Sequence, residues 1–146
     1  MDVMTPEQRR KAMCSNRGRT GPERALASLL WRQGFRYLTA DGYRAKYGAR
    51  LVGQPDLIFT RKRVVVFVDG CFWHGCRRCH DFDADCDERW RRKIETNVER
   101  DKRSTSRLRR QGWTVIRVWE HDLRKKQDLA ATARRVAERI ERHAAQ

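Results

Sequence analysis

The longest uninterrupted apolar run in the chain is Val64-Val65-Val66-Phe67-Val68, in a sequence that is 36% charged. A β-branched run without polar alternation is the pattern of a strand buried on both faces, so it belongs at the centre of a sheet covered on either side. Leu57-Ile58-Phe59 is a second apolar run, and Arg61-Lys62-Arg63 between the two reads as the turn of a hairpin. Trp113 to Trp119 alternates as a strand, and Phe35-Arg36-Tyr37-Leu38 reads as another. Thr20-Gly21-Pro22-Glu23 is a capping box with proline in the first turn. Ala25, Leu26, Leu29 and Leu30 follow at helical spacing, which predicts a helix from about 21 to 33 stopped by Gly34. Helices are also expected over 88–111, where Trp90, Ile94, Val98 and Leu108 precede Gly112, over 127–143, and over the short basic segment 5–17. Residues 40–53 and 69–87 read as loops. This order gives an α/β fold, a mixed central sheet flanked by helices. With 146 residues the chain has room for one core, so a single domain over 1–146 is expected, opening on an N-terminal segment, 1–19, and closing on the 127–143 helix.

The charge is lopsided. Lys and Arg number 34 against 19 acids, for a formal charge of +15, and 27 of the 34 are arginine. No run approaches the length of a membrane-spanning helix, and Met1 to Arg10 lacks the apolar core of a secretory signal, so a cytoplasmic, nucleoid-associated protein without membrane contact is expected. An arginine-rich surface suits planar, bidentate contact with phosphate or guanine, which points to nucleic acid.

The five cysteines are Cys14, Cys71, Cys76, Cys79 and Cys86. An odd count without a secretion signal argues against a disulfide framework, and four of them cluster with His74 and His80 in the manner of a metal site. Cys71, Cys76 and Cys79 supply three thiolates for a tetrahedral zinc. The fourth ligand is ranked His121 first, because it follows the Trp113–Trp119 strand and would staple the loop to the core, then Cys86, then His80.

Asp56 opens the first hairpin strand and Asp69 ends the second. Antiparallel pairing can bring both to one end of the sheet, where two close carboxylates favour a cation such as Mg²⁺. The bland alternative is that both are turn residues. His74, five residues after Asp69, could take a proton from an attacking water, or could instead be a zinc ligand. Phe72-Trp73 between them is either core under the zinc or a wedge that unstacks base pairs, with Trp90 as a possible companion.

Together these residues resemble the very-short-patch-repair (Vsr) mismatch endonucleases. The resemblance rests on Asp69-Gly70-Cys71-Phe72-Trp73-His74-Gly75-Cys76, on Pro55-Asp56-Leu57, on Lys93 to Asp101, on Gly112-Trp113 through Trp119-Glu120, and on Gln8 to Met13 with Pro22-Glu23. It spans roughly residues 5 to 125, nearly the whole chain. It implies a restriction-endonuclease-like fold related to the PD-(D/E)xK nucleases. It also implies a Mg²⁺-dependent nick on the 5′ side of the T in a T:G mismatch, the product of 5-methylcytosine deamination. By that resemblance Asp56, with the Val68 carbonyl, binds Mg²⁺, and Asp69 makes the metal-binding pair. His74 is the catalytic histidine, with Glu23 near the site. Phe72, Trp73 and Trp90 intercalate while Met13 approaches the minor groove, and Cys71, Cys76, Cys79 and His121 hold a structural zinc. The lysine of the broader nuclease motif would fall at Cys71, which leaves His74 as its substitute. Double-stranded DNA carrying a T:G mismatch is the expected partner, with mismatch-repair proteins as further partners and a monomer as the expected state. The rival readings are another structure-specific DNA nuclease of the same fold, and a non-catalytic zinc module that binds nucleic acid.

Overall fold

The computed structural model describes residues 21–71, 74–79 and 87–143. The expected helix over 5–17, the Thr20 of the capping box, Met13, Phe72, Trp73, His80 and Cys86 lie outside the described residues. The elements are α1 (Gly21–Arg32), α2 (Ala40–Tyr47), β1 (Leu57–Phe59), β2 (Val64–Asp69), α3 (Glu88–Arg110), β3 (Thr114–Trp119), a 3-10 turn (Glu120–Leu123) and α4 (Lys126–His143).

The sheet has three strands in the order β1-β2-β3. The hairpin forms as expected, β1 antiparallel to β2 with Leu57 opposite Val66. β3 runs parallel to β2, Val64 opposite Thr114 and Asp69 opposite Trp119. A parallel pair needs a long crossover, and α3 supplies it. The apolar run at 64–68 is thus the central strand, and Val64, Val65 and Val66 are fully buried. Arg63, at the end of the hairpin turn, has φ +54, a left-handed conformation costing a non-glycine residue about 1–2 kcal/mol. Two contacts offset that cost: its guanidinium lies 4.7 Å from the Trp113 ring centroid, and Nη2 donates to the Gln111 carbonyl at 2.8 Å.

Two expectations fail at the N-terminal side of the sheet. Phe35–Leu38 is not a strand. Leu38 alone forms a bridge to Ile58, because the chain turns into a helix at the next residue. That helix, α2, occupies the stretch expected to be loop. Thr39 caps it by accepting from the Gly42 N–H at 3.0 Å, and Gly48 ends it in a left-handed conformation with its N–H on the Arg44 carbonyl. Threonine as N-cap and glycine just past the C-terminus are strong helix signals, although α2 buries no residue fully and so shows no apolar stripe.

The two faces of the sheet differ. Side chains alternate along each strand, so Leu57, Phe59, Val64, Val66, Ile116 and Val118 face one way and pack with Leu26 and Leu30 of α1 and Val136 and Ile140 of α4. Ile58, Val65, Phe67, Trp113 and Val115 face the other way, against Leu108 of α3 and Tyr43 of α2. By the same alternation Asp56, Asp69 and Arg117 belong to this second face. Among the described residues, no helix is long and apolar enough to cross a membrane.

Candidate active site and metal centre

Beyond Val68 the second face of the sheet turns polar. Asp56 immediately precedes β1, and its N–H donates to the Val66 carbonyl at 3.0 Å. Its Oδ2 accepts the Val68 N–H at 2.7 Å, across the hairpin. Burial pushes the Asp56 carboxyl up to about 6, with the Asp69 charge adding to the rise and the Val68 N–H, His74 and Arg117 opposing it. A carboxylate so raised is one that a bound cation would stabilise most. The sequence expectation that Asp56 and Asp69 sit at one end of the sheet therefore matches their placement.

Asp69 is buried at the end of β2. Both of its oxygens accept from Nη1 of Arg117, at 2.9 and 3.0 Å. Burial raises its carboxyl, against the pull of His74 and Arg117. Asp69 is therefore already paired to a guanidinium, which distinguishes it from Asp56.

His74 lies in a tight turn, its N–H donating to the Gly70 carbonyl at 3.1 Å. Its Nδ1 is 2.5 Å from Oδ2 of Asp101 and 3.6 Å from Oδ1 of Asp69. A carboxylate against Nδ1 makes that nitrogen the donor and leaves Nε2 as the basic one. Burial alone would push the imidazole down. The hydrogen bond to Asp101 and the charges of Asp69 and Asp101 outweigh it, so His74 titrates above its ordinary value. A cleft of about 470 Å³ opens beside this cluster, lined among others by His74, Asp101, Lys102, Arg109 and Trp119.

Three of these residues had no assigned role in the sequence reading: Asp101, Thr105 and Arg117. Each left a signal. Ile94, Val98, Asp101, Thr105 and Leu108 repeat at 4, 3, 4 and 3 along α3, so Asp101 and Thr105 interrupt a stripe that faces the sheet. Arg117 interrupts Val115-Ile116-Val118 in a strand covered on both faces. A polar residue inside an apolar register needs a partner: Arg117 donates to Thr105 and to the Asp101 backbone carbonyl, and the Asp101 carboxylate takes His74.

The sulfur cluster lies on the same loop. Cys76 donates its N–H to the Cys71 carbonyl at 2.8 Å, folding the loop back on itself. The ligand atoms of Cys71, Cys76, Cys79 and His121 all lie within 4.8 Å of one another. His121 Nδ1 is 3.3, 3.6 and 3.2 Å from the sulfurs of Cys71, Cys76 and Cys79. A tetrahedral zinc with Zn–S about 2.3 Å and Zn–N about 2.0 Å separates N from S by about 3.5 Å, so the donor set fits that ion. The second ring nitrogen of His121 sits 3.4 Å from Oδ1 of Asp122, a carboxylate placed to orient the ring, and Trp119 stacks on it with centroids 6.3 Å apart. Burial pushes the Cys71 thiol up to about 12, so Cys71 favours the neutral thiol until a cation replaces its proton. Of the three candidate fourth ligands, His121 is the one among the described residues, and it completes the group. His74 points to Asp101 and is not part of it.

Glu23 is buried in the first turn of α1, on the helix that covers the opposite face of the sheet. Val68 contributes its backbone beside Asp56. Trp90 is half-buried in the first turn of α3, whose N-cap Asp87 accepts the Trp90 N–H at 3.0 Å; the Lys93 ammonium lies 6.0 Å from its ring centroid. Arg92 and Arg100 are exposed on the same helix, paired with Glu88 and Asn97 respectively.

A buried acidic pocket beside a histidine–aspartate pair, next to a metal-binding knuckle on a chain of charge +15, is the equipment of an enzyme acting on nucleic acid. Comparison with known proteins agrees. The family model for "DNA mismatch endonuclease Vsr" matches residues 1–81. The type II nicking enzyme V.NmeDIP of Neisseria meningitidis serogroup C is 41% identical over 143 residues, which is 95% of this chain and 91% of that protein. The DNA mismatch endonuclease Vsr of Escherichia coli (strain K12) is 42% identical over 124 residues, 84% of this chain and 73% of that protein. The type II nicking enzyme V.HpaIIP of Haemophilus parainfluenzae is 40% identical over 131 residues, 86% of each chain. The chain belongs to the Vsr family and is a DNA endonuclease.

Proposed function

We propose that this enzyme nicks double-stranded DNA on the 5′ side of the T in a T:G mismatch, with Mg²⁺ at Asp56 and the Val68 carbonyl and a structural zinc on Cys71, Cys76, Cys79 and His121. The observation that carries the reading is that Asp56 feels the charges of Asp69 and His74 at one end of the sheet, where Asp56 accepts the Val68 N–H and His74 leans on Asp101. The acidic end of a mixed sheet with a crossover helix behind it is also what a restriction-endonuclease-like, PD-(D/E)xK-related fold uses, and Cys71 at the lysine position leaves the base to His74.

Mg²⁺ bound there would neutralise charge on the scissile phosphate and polarise it. The remaining work falls to the chain. Asp101 holds Nδ1 of His74, so Nε2 faces the reaction and takes a proton from water as its oxygen bonds to phosphorus in line. The bond to the 3′-oxygen breaks, and that oxygen takes a proton from a solvent water, leaving a 3′-hydroxyl and a 5′-phosphate. Asp69, with both oxygens on Arg117, braces His74 and stands with Asp56 as the second carboxylate toward Mg²⁺. Glu23 assists from α1. Phe72, Trp73 and Trp90 open the mismatch from one groove and Met13 from the other, while the arginines of α3 hold phosphates.

The test is Mg²⁺-dependent nicking of a labelled duplex carrying one T:G pair, beside matched, flap and branched duplexes. A single nick 5′ of the T, absent in EDTA-treated reactions lacking added Mg²⁺, is expected. Equal cleavage of flap or branched DNA would assign a different substrate to the same site.

A further inference from the structure

We propose that Arg117 is a positioning residue for the cleavage step, acting through His74; the proposal rests on the role assigned above to His74 as the base. Arg117 stands in β3, on the face of the sheet covered by α3. Nη1 donates to both oxygens of Asp69, at 2.9 and 3.0 Å. Nε donates to Oγ1 of Thr105 at 3.0 Å, and Nη2 to the backbone carbonyl of Asp101 at 3.3 Å. The guanidinium carbon lies over the Phe67 ring, 4.1 Å from its centroid. One planar group thus ties the end of β2 to two successive turns of α3.

The two residues so tied are the two that face Nδ1 of His74. Asp101 holds that nitrogen at 2.5 Å, and Asp69 stands 3.6 Å away. His74 itself sits on a turn, with little of its own to fix the ring. Its direction is therefore set by two carboxylates, and Arg117 ties the Asp69 carboxylate to the Asp101 backbone that carries the other. Arginine suits this task because its donors diverge in a rigid fork, which a lysine ammonium cannot reproduce.

Two other roles fit less well. A phosphate contact at the cleft would have to rest on the second Nη2 hydrogen alone, because Nε, Nη1 and the other Nη2 hydrogen already point to acceptors inside the protein. A pair kept for stability alone is a weak explanation, because buried ion pairs often contribute little net stability.

The test uses the full chain with zinc bound. Nicking of the T:G duplex is followed in a single turnover at saturating protein, for the wild type, Arg117→Ala and Arg117→Lys, with DNA affinity measured separately. The Ala variant should lose about 100-fold in rate, the size of effect expected when a reacting group is misplaced by an ångström. Its Kd should stay within about twofold, since no phosphate contact is lost. Millimolar guanidinium should restore part of the rate to the Ala variant, whereas the Lys variant should remain slow. NMR of the ring nitrogens should show the Nδ1–H tautomer of His74 ordered in the wild type and mixed in the variant.

Weaker binding with an unchanged rate at saturation would overturn the proposal in favour of a DNA contact. A lower melting temperature without guanidinium rescue, and with His74 signals unchanged, would reduce Arg117 to structural support. If Arg117→Ala does not fold, Thr105→Val decides: it removes the Nε acceptor alone, and an unchanged rate would overturn the proposal. The underlying readings fail separately. A wild type that nicks some other DNA better than T:G breaks the mismatch assignment and leaves this test readable on that DNA. Full activity in His74→Ala breaks the base assignment, and the role of Arg117 falls with it.

Discussion

The sulfur cluster and the acidic cluster come within two residues of each other, at Cys71 and Asp69, yet they are built in opposite ways. Three of the four sulfur-cluster donors come from nine consecutive residues, and only His121 is distant. The acidic cluster draws Asp56 from before β1, Asp69 from β2, His74 from the loop, Asp101 and Thr105 from α3, and Arg117 from β3. The first ties a loop to the end of β3. The second exists only once the sheet and its crossover helix have docked. Loss of metal should therefore show in stability first, and changes in the acidic cluster should show in rate first.

Metal removal is the harshest way to press on that division. Zinc-free protein, or Cys79→Ser, should melt about 10 °C lower, equivalent to roughly 3 kcal/mol for a chain of this size. Calorimetry with a parallel zinc assay checks this; an unchanged melting temperature in zinc-free protein would remove the staple from the picture.

Gly75 separates His74 from Cys76 and belongs to both clusters. Its φ is +74, and a Cβ there would come within 3.0 Å of Val98 Cγ2 and 3.3 Å of Ile94 Cγ2. Gly75→Ala should lower the melting temperature by about 5 °C through left-handed strain and crowding, and it should slow nicking as well. Damage confined to one readout would show the clusters to be less joined than the turn suggests.

The metal-free acidic cluster carries an internal cost, which pH exposes. The Asp56 carboxyl titrates at about 6 in the folded chain against 3.8 when free. A raised pKa means that stability from this group is fully present below 3.8 and is lost as pH rises through about 6. In Mg²⁺-free buffer with zinc retained, Asp56→Asn should raise the melting temperature at pH 8 by about 4 °C. That corresponds to about 1 kcal/mol after allowing for solvent screening of a partly exposed group. The gain should vanish near pH 4. A variant less stable than wild type at pH 8 would contradict the burial cost.

The smallest effect belongs outside both clusters. Thr39→Ala removes the cap of α2 and should cost about 1 kcal/mol, or about 3 °C, with nicking unchanged. A loss of rate there would mean that the α2 side of the sheet reaches the site.

What the sequence made legible follows the same line. The hairpin, the central strand, α1, α3, β3 and α4 were readable because each carries its own period or cap. The sulfur cluster was readable because cysteine is rare and its spacing local, with His121 placed by the strand before it. α2 escaped because its caps, Thr39 and Gly48, stand without an apolar stripe between them. The Phe35–Leu38 run misled because apolar composition cannot say how many residues find a partner strand, and here only Leu38 does. Asp101, Thr105 and Arg117 escaped a role because each is an oddity in its own element and makes sense only against partners from other elements, Asp101 against His74 and Thr105 against Arg117.

The separation of chemistry from stability is tested most directly by one measurement, the single-turnover nicking rate of Asp56→Asn on a T:G duplex at saturating protein and millimolar Mg²⁺. The prediction is a fall of about 1000-fold, the loss of several kcal/mol of transition-state stabilisation, in a protein that binds the duplex and melts no lower than wild type. Nicking at the wild-type rate would contradict the assignment of Asp56, and with it the placement of the active site at this end of the sheet.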